Sequence, residues 1–165
     1  MTDAAESARP QTGCMHDQSR RGHQSLRRHR QATPALITTC CHQRQPLLAD
    51  PVCAGIVLDA LHWMDQHRLL ILHAAVVMPD HLHFVADPLD VPWPDLLGSL
   101  KGFSARRINR RLDRSGTVWQ AQYHDRHIGS DRDLAVAVDY CLGNPVRAGL
   151  VVSAMDYPHV WSRYG

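Results

Sequence analysis

From Pro34 onward, short apolar runs alternate with stretches of helical spacing, and turn residues separate them. Ala35-Leu36-Ile37-Thr38-Thr39-Cys40-Cys41 is short, apolar and rich in β-branched residues, which predicts a strand. Asp50-Pro51 suits a helix start, with Asp as the cap and Pro at the first position. Val52, Ile56, Leu58, Ala60, Leu61 and Met64 then recur at helical spacing, which predicts a helix to about His67. Leu69 to Met78 reads as a buried strand, Met78-Pro79-Asp80 as a turn, and His81 to Asp87 as the returning strand of a hairpin. Pro92 and Pro94 read as a loop leading to a helix over about Asp95 to Leu112. Ser115-Gly116 precedes an expected strand from Val118 to Ile128. Ser130-Asp131 caps a third helix running to about Gly143, and Asn144-Pro145 ends it, because a residue before Pro avoids the α region.

The resulting order is β-α-β-β-α-β followed by one more helix. This is an α+β chain with a ferredoxin-like, split βαβ antiparallel sheet. Two helices would cover one face, and an additional C-terminal helix would carry Tyr140. The other face is expected to stay free for a ligand.

Residues 1–34 break the pattern. Leu26 and two Met are their only large apolar side chains, and six Arg stand against Asp3, Glu6 and Asp17. This composition predicts a disordered basic arm, followed by one domain over residues 35–165. The total of 165 residues with 44% hydrophobic and 21% charged positions fits a single globular domain. No run is long and apolar enough for a membrane helix, and the N-terminus lacks an apolar signal region. A cytoplasmic protein with no membrane partner is therefore expected. Five Cys with no CxxC argue against a disulfide framework or a zinc ribbon.

Three patterns carry chemistry. His81 and His83 lie two apart on a strand, so both imidazoles face one side, roughly 6–7 Å apart, within reach of one metal ion. Tyr140 and Asn144 lie one helical turn apart, which would place a hydroxyl nucleophile beside a hard amide ligand. Residues 98–114, most of the predicted second helix and the two residues after it, hold Lys101, Arg106, Arg107, Arg110, Arg111 and Arg114 against one acid, Asp113. Like charges at i and i+4 repel, so a phosphate partner would explain the run. Arg supplies 17 of the 18 basic residues, so a solvated Arg-rich face explains it equally. Taken singly, the other two patterns also suit incidental histidines, a packed tyrosine and an asparagine that closes a helix.

Together these segments resemble a family. Val77-Met78-Pro79-Asp80-His81-Leu82-His83-Phe84 is similar to the His-hydrophobic-His segment of IS200-like transposases. Ser99-Leu100-Lys101-Gly102-Phe103-Ser104 resembles their basic second helix. Gly116-Thr117-Val118-Trp119-Gln120 through Tyr123-His124-Asp125 resembles the strand that follows. Tyr140 with Asn144-Pro145-Val146-Arg147-Ala148-Gly149-Leu150-Val151 is similar to the stretch carrying their single catalytic tyrosine. Asn rather than Gln four residues after the tyrosine resembles the REP-associated subgroup. The likeness spans Pro34 to Tyr164.

The resemblance implies an enzyme that cuts and rejoins single-stranded DNA beside a REP-like hairpin, as a monomer or a homodimer. Tyr140 would form a 5′-phosphotyrosine. His81, His83 and Asn144 would hold Mg²⁺ or Mn²⁺, while Lys101, Arg106, Arg107, Arg110 and Arg111 would bind the DNA backbone. Gly143 departs from a good helix former and is expected to weaken the helix end that places Asn144. Two other readings compete. One is a DNA-binding module of the same fold without chemistry. The other is a metal-dependent hydrolase in which His124 or Asp125 completes the site and water attacks. Tyr123 is the rival tyrosine, whereas Tyr157 and Tyr164 are expected to lie beyond the last regular element.

Overall fold

The computed structural model describes residues 33–165. Most of the expected basic arm thus lies outside the described residues. Its last two residues, Thr33 and Pro34, already bond to the sheet: Thr33 Oγ1 lies 3.0 Å from His127 Nδ1, and the Ile128 N–H donates to the Pro34 carbonyl.

Five strands form one antiparallel sheet: β1 (Ala35–Cys40), β2 (Leu70–Met78), β3 (His81–Pro88), β4 (His124–His127) and β5 (Val160–Ser162), in the order β4-β1-β3-β2-β5. The first four are the split βαβ sheet expected from the pattern. Helices α1 (Pro51–Gln66) and α2 (Trp93–Arg111) cover one face. Asp50 caps α1 as read, accepting from the Val52 and Cys53 N–H groups at 2.8 and 3.1 Å. Beneath the two helices, Ile37, Leu72, Ala75, Val77, Leu82, Phe84, Leu61, Leu100 and Ile108 form the main core. Burying a side chain such as Leu82 or Phe84 contributes about 1.5–3 kcal/mol, so this face has little freedom to shift.

Helix α3 (Asp131–Leu142) lies on the opposite face. The Ser130 side chain caps it by accepting from the Asp133 N–H at 3.2 Å. Ala137, Val138 and Cys141 pack on Leu36, Ala74, Val76, Met78, Val85 and Ile128. The second face is therefore partly covered rather than free. A one-turn helix, α4 (Asn144–Arg147), follows Gly143 directly. Asn144-Pro145 thus starts a new turn as well as ending α3, since Pro is tolerated in a first helical turn.

Three expectations change. Helix α2 starts at Trp93 with Pro94 in its first turn, where the missing N–H costs nothing. The expected Val118–Ile128 strand shrinks to His124–His127, although Trp119 still bridges to Cys41. Between the Trp119–Cys41 bridge and the His124–Thr38 pair the chain has more residues than β1 and bulges out, and there the Gln120, Ala121 and Gln122 carbonyls accept from the Lys101 ammonium at 2.8, 3.2 and 3.0 Å. Finally, the C-terminal segment is not irregular throughout. Val160, Trp161 and Ser162 pair with Val76, Ala75 and Ala74, adding β5 to the β2 edge. Three residues are too few for a periodic signal.

Candidate active site

Strand alternation sets the histidines. Leu82 and Phe84 enter the core under α1 and α2, so His81 and His83 emerge on the α3 face. Their ring centroids are 4.7 Å apart with perpendicular planes. Each ring is oriented through Nδ1. His81 Nδ1 lies 2.5 Å from Asp80 Oδ1, whose other oxygen is 3.0 Å from Arg44 Nε. His83 Nδ1 lies 2.7 Å from Thr38 Oγ1, on the residue paired with it across β1. With Nδ1–H donating to these oxygens, each Nε2 keeps a lone pair for a ligand. Burial, assisted by the positive fields of His81, Arg147 and Arg44, lowers the His83 pKa from 6.5 to about 4. His83 is therefore neutral near pH 7, the form a metal requires.

Helix α3 delivers the tyrosine. Cys141, the residue after Tyr140, is buried with its thiol donating to the His83 carbonyl at 3.6 Å. Burial pushes that thiol up to about 12, so it stays a neutral anchor. Pinning Cys141 on β3 leaves Tyr140 at the helix rim, 43% exposed, with its ring 6.4 Å from that of His83 and near perpendicular to it. Asn144 closes α3 by donating from Nδ2 to the Tyr140 and Cys141 carbonyls at 3.0 and 3.2 Å. Its Oδ1 remains as an acceptor. Arg147 folds back from α4 and lies over the Tyr140 ring, 4.2 Å from guanidinium carbon to centroid, while also donating to the Tyr140 carbonyl.

The structure thus brings His81, His83 and Tyr140 together, with Asn144 at the end of α3 beside Tyr140. Among the described residues no group of three His, Cys, Asp or Glu side chains is placed to hold a metal ion. A divalent ion on the two imidazoles would need neutral oxygens to complete its shell, and the Asn144 side-chain oxygen is a donor of that kind at the α3 end. His124 does not: it pairs with Thr38, one strand beyond the strand next to His83, a separation of about 10 Å. Asp125 alternates to the other face. The water-activating site built on either residue loses its third ligand. Tyr123 packs against the core under α2, below Lys101, and is likewise separated from the histidines.

The basic helix lies across the sheet from these groups. Lys101 turns inward to the three carbonyls and its pKa is lowered by burial. Its donors are thus committed to the loop before β4. Arg111 bonds Asp50 at 3.1 Å. Arg106, Arg107 and Arg110 are exposed, with Arg107 over the Phe103 ring at 5.5 Å.

Sequence reading missed Thr38, Cys141 and Arg147. Asp80 was visible beside His81, but Thr38 becomes a partner only through the β1–β3 register. Cys141 and Arg147 lay within quoted motifs with no signal of the contacts they make.

The chain is similar to known proteins. In a Haemophilus influenzae protein named as a REP-associated tyrosine transposase, 100 residues are 29% identical, covering 52% of this chain and 55% of that protein. The chain thus matches only about half the length of this relative. In fold, it is similar to the solved structure of a REP-associated tyrosine transposase bound to a REP hairpin, with TM-score 0.65 and 20% identity over 79% of this chain and 76% of that one. The family described as "Transposase IS200 like" matches residues 33–142, and with two thirds of its length so covered the chain belongs to the IS200-like transposases.

Proposed function

We propose that this chain is a REP-associated tyrosine transposase that cuts and rejoins single-stranded DNA beside a hairpin through a covalent bond to Tyr140. The observation that carries the reading is the His81–His83 pair with Tyr140 at its edge, the only site where two oriented imidazoles meet a rim tyrosine among the described residues. The similar structure bound to a REP hairpin supports the choice of DNA.

In this reading the Tyr140 Oη attacks the scissile phosphorus and the bond to the 3′ oxygen breaks. The tyrosine loses its proton, the leaving oxygen gains one as a 3′-OH, and a 5′-phosphotyrosine remains. A 3′-OH attacking the same phosphorus reverses the step and rejoins the strands without a nucleotide cofactor. His81, His83 and Asn144 would hold Mg²⁺ or Mn²⁺, which would supply charge stabilisation at the attacked phosphate. Asp80 and Thr38 aim the two imidazoles. Arg106, Arg107 and Arg110 hold hairpin phosphates away from the cleavage point, since they lie across the sheet. Tyr140 lies beside His83 of its own chain, an arrangement that lets a monomer, or each half of a homodimer, work alone.

The test uses single-stranded DNA with a hairpin, labelled at the 5′ or 3′ end. A protein-linked product carrying the 3′-side fragment, present in the parent and absent in Tyr140→Phe, is expected. Clean cleavage without adduct would favour a hydrolase, and binding alone a DNA-binding module.

A further inference from the structure

Gly143 stands where a better helix former would strengthen the end of α3. It has ordinary helical torsions, φ −75° and ψ −4°, so the backbone does not require glycine. The space does. A Cβ at Gly143 would sit 2.6 Å from Arg147 Nη1, 3.4 Å from its Cζ and 3.2 Å from the Asp139 carbonyl oxygen. The Arg147 guanidinium occupies that space to lie on the Tyr140 ring and donate to the Tyr140 carbonyl. The ring therefore meets Arg147 on its face and His83 at 6.4 Å on another side.

Resting on the function proposed above, we infer that Arg147 is a positioning residue that holds the Tyr140 ring in its attacking orientation, and that Gly143 is the clearance admitting it. A planar cation over an aromatic face restricts the ring more than a flexible ammonium does. A merely structural role is the alternative, with Arg147 closing the α3 carbonyl end against the helix dipole. Gly143→Ala displaces the guanidinium in either role, so the two differ in what is lost with it. A capping role expects lower stability with an unchanged rate of reaction. The positioning role expects Gly143→Ala to push the flexible Arg147 tip off the ring and to slow the chemistry.

The experiment places 3-fluorotyrosine at position 140 of the metal-free full chain and reads its ¹⁹F resonance. Arg147→Ala and Gly143→Ala should shift the signal in the same direction, and Gly143→Ala should add no shift in an Arg147→Ala background. Arg147→Lys should not restore the parental signal. In single-turnover reactions on labelled hairpin DNA, Arg147→Ala and Gly143→Ala should each slow adduct formation about tenfold or more, with DNA affinity within about twofold, as a small misplacement of a reacting group does. A parental ¹⁹F signal in Gly143→Ala, full additivity of the two changes, or rescue by Arg147→Lys overturns the inference. So does lost DNA affinity with an unmoved signal, which would make Arg147 a phosphate contact. If the parent forms no adduct, the proposed function fails, while the ring signal still decides whether Arg147 holds Tyr140.

Discussion

Two tyrosines meet two histidines of the central hairpin, Tyr140 beside His83 on β3 and Tyr164 beside His73 on β2, and they are held in opposite ways. Tyr164 Oη lies 2.6 Å from His73 Nδ1, and His73 Nε2 lies 3.3 Å from Asp87 Oδ2. Beside it, Arg163 donates to the Leu72 carbonyl and to Asp65, both at 2.6 Å, and its N–H donates to the His73 carbonyl. These bonds tie the chain terminus to the β2 bulge at His73. Tyr140 is gripped by its ring and its carbonyl instead, and among the described residues no hydrogen bond engages its hydroxyl. A tyrosine fastened through its oxygen acts as a latch. One fastened through its ring presents its oxygen to a substrate. The Asp87–His73–Tyr164 row, hydrogen-bonded only between His73 and Tyr164, looks more like catalytic machinery, yet the unbonded hydroxyl stands beside the paired imidazoles.

The largest expected effect would break this contrast outright. Tyr140→Phe should lower adduct formation by at least about a thousandfold, because it deletes the attacking atom. Tyr164→Phe should leave adduct formation near parental and lower stability by about 1 kcal/mol, the net worth of one hydrogen bond. Reversed results in the labelled-DNA assay would exchange the roles of the two tyrosines.

Next in size is a pH effect at His83. The folded ring holds its proton less tightly than an exposed imidazole, so stability is complete above about pH 6.5 and is lost as pH falls toward 4. A shift of this size corresponds to about 3 kcal/mol in the metal-free protein. Urea titrations across that window should show the decline, and His83→Gln should flatten it.

Smaller again is the orienting bond. Thr38→Val keeps the shape but removes the oxygen at His83 Nδ1, and should weaken Mn²⁺ binding about 10–100-fold by calorimetry. An unchanged affinity would remove Thr38 from the site. The smallest effect concerns the far face. Arg107→Ala and Arg110→Ala should each flatten the salt dependence of DNA binding by about one unit of slope or less. Lys101→Met should leave that slope unchanged and lower the thermal midpoint, because its ammonium serves the loop before β4.

Whatever depends on local period was legible in the sequence. Alternation on β3 sent His81 and His83 to one side and Leu82 and Phe84 to the other. Helical spacing put Tyr140 and Asn144 one turn apart, and Asp50 and Ser130 announced the helices they cap. Such features need only the geometry of one element. What joined elements was decided by packing. Register across β1 made Thr38 the partner of His83. Burial of Cys141 on β3 set how close Tyr140 comes to the imidazoles, and three carbonyls drew Lys101 inward. The space over Gly143 became meaningful only once Arg147 turned back into it. These contacts join side chains whose spacing along the chain says nothing of their distance in space, and only a packed core brings them together.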